Sequence, residues 1–455
     1  MGGNIVLVAC LASGSAYAQL GVHPDNPAAM ADAGRPVYLL GDYTWDTFSD
    51  PYYPHEAQFD LMQRYNLNFA RLWVMWGFTM VHDDPDSGDP SPEHKPLPYL
   101  RPGPGLANDG LPKADLTRFD PEFFRRLRRV VEAARTRGIY LQLCLFDGWC
   151  LKNSLHAWET HAFNRDNNIN GIDGDPNRDG RGFEFGELGQ ERMLELQKRF
   201  IDKVLETVGD RPNIFFEIAN ENPNRQWEMH LAEYIHQQEM GKPVQHLVMP
   251  ADLPNHGSTQ PRPWGFESAR QHLISLRRLN EPLILDTDGM GDPEGQLVVE
   301  TAWGAFMAGG YFDFLDLDLV TWKGHVPGSE REDMRGGLGI LARVARRVDF
   351  ARMAPADELV EGDEARMTCL ASPVDVVVHV RSGFSGEVGL SLEKAQYRAA
   401  IVDTVSGAER ALPPVQGPQA SLSLGASDHD RVVVLSVRGK AREALLRGRK
   451  GGEGA

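Results

Sequence analysis

The chain is poor in cysteine, in positive charge and in long apolar runs, and each shortage removes a class of protein. Only four of its 455 residues are cysteines, at Cys10, Cys144, Cys150 and Cys369. A disulfide-stapled scaffold needs a dense, even set. Cys144 lies inside an apolar strand-like run and reads as a small core residue. Its pairing with Cys150 would require the chain to double back. Lysine and arginine number 47 against 64 Asp and Glu, for a formal net charge of −17. Phosphate backbones are bound by clustered cations, so this balance argues against a nucleic-acid partner. It fits action on a neutral substrate.

The apolar run in "NIVLVACLASGSAYAQLG" is too short to span a bilayer, and no other segment is apolar for long enough, so no membrane insertion is expected. Ala16-Tyr17-Ala18 is a small-x-small cleavage signature, although the usual basic n-region is missing. Residues 1–18 therefore read as a signal peptide, with Gln19 first in a secreted or periplasmic mature chain. Cleavage would remove Cys10 and leave an odd number of cysteines.

What remains is a core-forming chain, 42% hydrophobic and 9% aromatic. Its length suggests two or three domains. From residue 36 to 320 an apolar strand, a polar turn and an amphipathic helix recur. The strands read "PVYLLGDYTW" (36–45), "LNFARLWVMW" (67–76), "IYLQLCLFDGW" (139–149), "NIFFEIANENPN" (213–224), "PVQHLVM" (243–249), "EPLILDTDG" (281–289) and "YFDFLDLDLV" (311–320). Between 120 and 138 a periodic helix has Asp120 as N-cap, Pro121 in the first turn and Gly138 as stop. Alternation with uniformly apolar strands predicts a parallel sheet buried on both faces. The fold class is α/β. Residues 19–350 are expected to form a (β/α)8 TIM barrel whose sixth strand is irregular or absent, with a doubly wound open sheet as the alternative. Short runs such as "DVVVHVRS" and "RVVVLSV" predict a small antiparallel β-sandwich over 351–438. The basic tail, 439–455, reads as disordered.

In parallel barrels the strand C-termini converge on one mouth. Here those ends carry Asp42 and Trp45; Arg71, Trp73 and Trp76; Asp147 and Trp149; Asn220 and Glu221; Asp286 and Asp288; and Asp316, Asp318 and Trp322. Sugar cleavage needs two carboxylates flanking the bond, and indole rings suit the apolar faces of sugars. Any one of these residues alone reads as well as a cap, an ion pair or core, as Trp303 does. Their recurrence at one rim carries the inference. Two smaller signals count for less. "DPNRDG" (175–180) opens like a calcium loop, but its twelfth position is Gly186, so a solvated turn is the better reading. "GLGILA" (337–342) fits a dinucleotide fingerprint without the preceding strand.

The segments "NFARLWVMW", "FFEIANENPN" and "ILDTDG" resemble strand ends of the clan A glycoside hydrolases. With "GRPVYLLGDYTWDTFSD" and "HAFNRDNNINGI" (161–172), they look like the apiosidase-like family, a barrel followed by a collagen-binding-type β-sandwich. The likeness covers most of residues 20 to 437. It implies Glu221 as general acid/base, Asn220 on a sugar hydroxyl, and Arg71 orienting and ionising the second carboxylate. Glu221 would then need burial or a nearby anion to stay protonated. The departure is on the seventh strand, where the clan places a Glu and this chain has Asp286 and Asp288. Asp288 is the better placed of the two, with Asp147 and Glu294 as fallbacks.

The expected function is hydrolysis of glycosidic bonds in a poly- or oligosaccharide, without a cofactor. Glu221 is paired with Asp288 or Asp286. Asn220, Arg71, Asp147, Trp45, Trp149, Trp322, Asn164 and Asn168 line the sugar site. The alternative is a catalytically inactive barrel that binds carbohydrate. A metal-dependent hydrolase is the third reading, resting only on His246 and His256, which form no ligand motif. The sequence leaves the oligomeric state open.

Overall fold

The computed structural model describes residues 19–79, 96–153, 157–222, 224–253, 264–287, 295–316 and 332–448. Residues 1–18, and the candidates His256, Asp288, Glu294, Asp318 and Trp322, lie outside them. Among the described residues no helix is long and apolar enough to cross a membrane.

A small antiparallel sheet of β1 (Leu20–His23), β2 (Asn26–Asp32) and β3 (Arg35–Pro36) opens the chain. Then come α1 (Asp46–Ser49), α2 (His55–Arg64), β4 (Phe69–Trp73), α3 (Pro121–Thr136), β5 (Tyr140–Asp147), α4 (Trp149–Asn153), α5 (Glu191–Val208) and β6 (Ile214–Asn220). The alternation continues with α6 (Arg225–Glu239), β7 (Val248–Met249), α7 (Phe266–Leu276), β8 (Ile284–Thr287), α8 (Gln296–Met307), β9 (Tyr311–Phe314) and α9 (Glu332–Ala345).

β4, β5, β6 and β7 pair in parallel in chain order, and β8 pairs in parallel with β9. The segment 40–43 joins these groups. Gly41 bridges Phe69 of β4, while Leu40 and Tyr43 bridge Phe312 and Leu315, all in parallel. The last strand of the α/β region thus lies beside the first segment. Between Met249 and Ile284 no strand occurs among the described residues. Burial on both faces explains the unbroken apolar runs: every residue of β4 is buried, and all of β6 except Asn220. Asp120 caps α3 by accepting the Glu122 N–H at 2.9 Å, and Gly138 takes the left-handed φ of +71° that ends it.

After a short link come β10 (Ala354–Pro355), β11 (Val360–Glu361), β12 (Met367–Ala371), β13 (Asp375–Val380), β14 (Gly386–Ser391), β15 (Gln396–Asp403), β16 (Glu409–Gln416), β17 (Gln419–Leu424) and β18 (Arg431–Val437). They form a six-stranded antiparallel sheet, β10-β12-β13-β18-β15-β16, and a three-stranded one, β11-β14-β17. Period-two alternation divides the larger sheet. Cys369, Val376, Val378, Ile401, Val433 and Leu435 join a core shared with the smaller sheet. Leu370, Val377, Val402, Val432 and Val434 point the other way and join the core of the α/β region.

The tail departs from expectation. Gly439–Gly448 is a helix, α10, and not disordered coil. Leu445 and Leu446 pack on the C-terminal core, and Arg442 grips the buried Asp375 with bonds of 2.9 and 2.8 Å. Those contacts order a stretch whose basic, Gly- and Arg-rich composition suggested disorder; residues 449–455 lie outside the described residues.

Candidate active site

Arg71, inward-facing on β4, organises the strand ends. Its Nε donates to Glu217 Oε2 at 2.8 Å and its Nη2 to Glu217 Oε1 at 2.6 Å. Nη2 also reaches Asn220 Oδ1 at 2.9 Å, and Nη1 reaches Asp286 Oδ2 at 2.9 Å. Gln142 adds a 2.8 Å bond to Glu217, and Tyr43 donates to Asp286 Oδ1 at 2.8 Å. Burial works against the Arg71 charge, but Glu217 and Asp286 outweigh it and hold the guanidinium protonated beyond its usual range. The guanidinium lies 4.4 Å above the indole of Trp73, which stacks on Tyr43 and on Trp76. Trp45 meets Trp76 edge-on at 6.3 Å, and both are partly buried.

Glu221 follows Asn220 with a φ of +49°, a left-handed backbone that few non-glycine residues adopt. The turn carries its side chain outward, where it is half exposed and 3.0 Å from Lys152 Nζ. Glu221 thus lacks the burial expected around a general acid, and its ion-pair partner among the described residues is a cation. Burial instead surrounds Asp147 and pushes its pKa up to about 6, against the Cys150 N–H and the Asn220 amide. Beneath Asp286 lies its parallel-strand partner Asp313, whose pKa is held well above the carboxylate range by burial and then by Asp286. A Cβ on Gly41 would stand 1.8 Å from Asp313 Oδ1, so a glycine is needed at that crossing.

Other candidates serve the fold. Asp42 and Asp316 are buried and each bonds Arg335 of α9 at 2.7 Å, so neither is presented at the mouth. Asn168, also buried, donates to the carbonyls of Ala162, Asn164 and Ile172 and accepts from the N–H groups of Asn170 and Ile172. Asn164 likewise braces the loop through Trp158 O and Asp166 N–H. The Asn168 amide is therefore spent as scaffolding for "HAFNRDNNIN", while Asn164, partly buried, braces the same loop with part of its amide. Trp149 is partly buried at the start of α4. In "DPNRDG" both Asp175 oxygens accept backbone N–H groups, from Asp179 and Gly180. Among the described residues no cluster of His, Cys, Asp or Glu could hold a metal ion. His246 is fully engaged by Glu239 and the Arg211 carbonyl.

Sequence reasoning missed Glu217, Gln142, Tyr43 and Asp313. The available signal was parity: Glu217 and Arg71 hold inward positions on strands that are otherwise apolar.

The sequence matches no family model, and no curated protein sequence matches it. Solved structures do resemble it. A glycoside hydrolase family 5 protein from Bacteroides vulgatus superposes with a TM-score of 0.61 at 13% identity, covering 92% of this chain and 93% of that one. A second glycoside hydrolase gives 0.60 at 12% identity, covering 92% and 96%. At such identities the likeness is one of fold, and this chain has the fold of those glycoside hydrolases.

Proposed function

We propose that the chain is a glycoside hydrolase. Residues 19–350 form a (β/α)8 catalytic barrel, 351–438 an accompanying β-sandwich, and 1–18 an export signal. Glu221 acts as acid/base on the glycosidic oxygen. Asp286 acts opposite it, as nucleophile or as the base that activates water. One observation carries the reading: the Arg71 guanidinium bonds both Asn220, next to Glu221, and Asp286, on a strand that follows much later in the chain. That cation orients Asp286 through a charge-assisted hydrogen bond, as a nucleophile or base requires. Trp76 and Trp45, linked to Arg71 through Trp73, offer indole surface to a sugar, and Trp149 at the start of α4 is assigned the same role.

The test is sugar release from aryl glycosides and from plant and bacterial polysaccharides by the parent, Glu221→Gln and Asp286→Asn. Release that collapses in both variants supports the pair. Retained product stereochemistry then makes Asp286 the nucleophile, and inversion makes it the base. Release indifferent to both substitutions sinks the assignment.

A second reading has its own support. Glu221 sits half exposed against Lys152, without the burial that favours a protonated acid. That setting suits a barrel that binds carbohydrate without cleaving it. Sugar binding by the parent with no release from any substrate would favour it.

A further inference from the structure

A cavity of about 690 Å³ lies between α7 and the six-stranded sheet. Its volume falls within the range of roughly 300–1,000 Å³ usual for small-molecule sites. It shares no residue with the Arg71 centre. Phe266 and Arg270 of α7 line one side, and Thr368 of β12 and His379 of β13 the other.

Thr368 and His379 are directly paired across β12 and β13. They stand on the face whose other members, Leu370 and Val377, are buried in the α/β core. Two polar residues thus interrupt an apolar docking row at the point where the cavity opens. Three buried polar atoms of the lining have no hydrogen-bond partner: Arg270 Nε, Thr368 Oγ1 and His379 Nδ1. Buried polar groups ordinarily find partners, so three orphans around one cavity call for an occupant.

The chemistry of the lining narrows the choice. Asp430 Oδ2 lies 3.4 Å from His379 Nε2, which places the ring proton on that side and leaves Nδ1 as an acceptor. Arg270 Nε is a donor, and the Thr368 hydroxyl is both. Arg270 is already matched to Asp357 at 2.6 Å, and the rest of the lining holds Glu267, Glu358, Glu361 and Glu364 against Arg366 and Arg381. An acidic rim repels anions. The His379 ring stacks on one face of Phe266, 4.3 Å between centroids, and the Arg381 guanidinium lies 5.8 Å from the same ring, so Phe266 is already engaged. Inside that rim, where Asp357 neutralises Arg270, mixed donors and acceptors match hydroxyl groups.

We propose that this cavity is a second saccharide site, which takes a neutral oligosaccharide end or branch through its hydroxyls. The choice of a sugar among neutral polyols rests on the glycoside hydrolase reading. The test is hydrogen exchange and calorimetry on the full chain with cellopentaose, xylopentaose and mannopentaose, and with pentagalacturonate as the anionic control. At least one neutral probe should slow exchange across 266–276 and 367–380. Thr368→Val and, independently, the exposed Arg381→Ala should raise the concentration needed at least tenfold, with thermal midpoint and aryl-glycoside turnover unchanged. No slowing in those segments, slowing by the anionic control alone, or variants that respond at the same concentration as the parent overturns the proposal. Protection there without any sugar release would uphold this site while the catalytic reading fails. Release without protection would do the reverse.

Discussion

Arg71 and Glu217 meet through two parallel hydrogen bonds, at 2.8 and 2.6 Å, with both side chains closed off from water. A guanidinium held at that edge has its remaining donors aimed, and they point to Asn220 and Asp286. Glu217 therefore positions the residue that positions the proposed pair.

Glu217→Ala should be far more harmful to folding than Glu221→Gln. Removing one partner of a buried ion pair typically costs about 3–5 kcal/mol. The exposed Glu221–Lys152 pair contributes no more than about 1 kcal/mol. Urea denaturation of the two variants checks the order. Equal midpoints would contradict a structural role for Glu217.

Tyr43→Phe removes one donor from Asp286 and leaves its bond to Arg71. Hydrogen bonds to charged groups contribute about 1.5–3 kcal/mol. If Asp286 reacts in its ionised form, kcat/KM should drop about tenfold to a hundredfold. Steady-state kinetics on whichever substrate is turned over would measure this, and unchanged kinetics would remove Asp286 from the mechanism.

Asp147 makes a pH-dependent prediction. Its folded pKa of about 6 lies above the ordinary 3.8, so the folded chain binds the proton more tightly than the unfolded one. The group's stabilising share is whole below pH 3.8 and is lost as pH rises through about 6. The shift corresponds to about 3 kcal/mol. Asp147→Asn carries no charge at either pH, so relative to the parent it should gain stability between pH 4 and pH 7. Denaturant midpoints at the two pH values give the sign directly, and parallel curves would count against it.

Asn168→Ala should destabilise the chain by about 2–4 kcal/mol, since one buried amide satisfies several backbone groups of its loop. In the molecules that fold, KM should be unaltered. A raised KM with unchanged stability would return Asn168 to the sugar site.

The elements legible in the sequence are those whose physics is local. β5 and β6 are buried on both faces and so read as apolar runs, and α3 carries its own cap and stop. Arg71, Asn220 and Asp286 were legible as polar endings of such runs. Glu217 was not, because its partner Arg71 lies 146 residues away and nothing in "IFFEIAN" names it. Asp42 and Asp316 were misread for the same reason, since the arginine that buries them comes from α9. Asn168 was misread for the opposite one. Its partners lie within a few residues, but an amide bracing its own loop has the same letters as one waiting for a sugar.

The two central strands of the six-stranded sheet, β13 and β18, are closed on both faces. One side closes the core of its own region and the other closes that of the α/β region, through Leu370, Val377, Val402, Val432 and Val434. A chain cut near residue 350 would leave both halves with raw apolar surface and a tendency to aggregate. The C-terminal region is thus no detachable module that could be traded between proteins by a simple linker cut. The two parts should melt together, and one should be inherited only with the other.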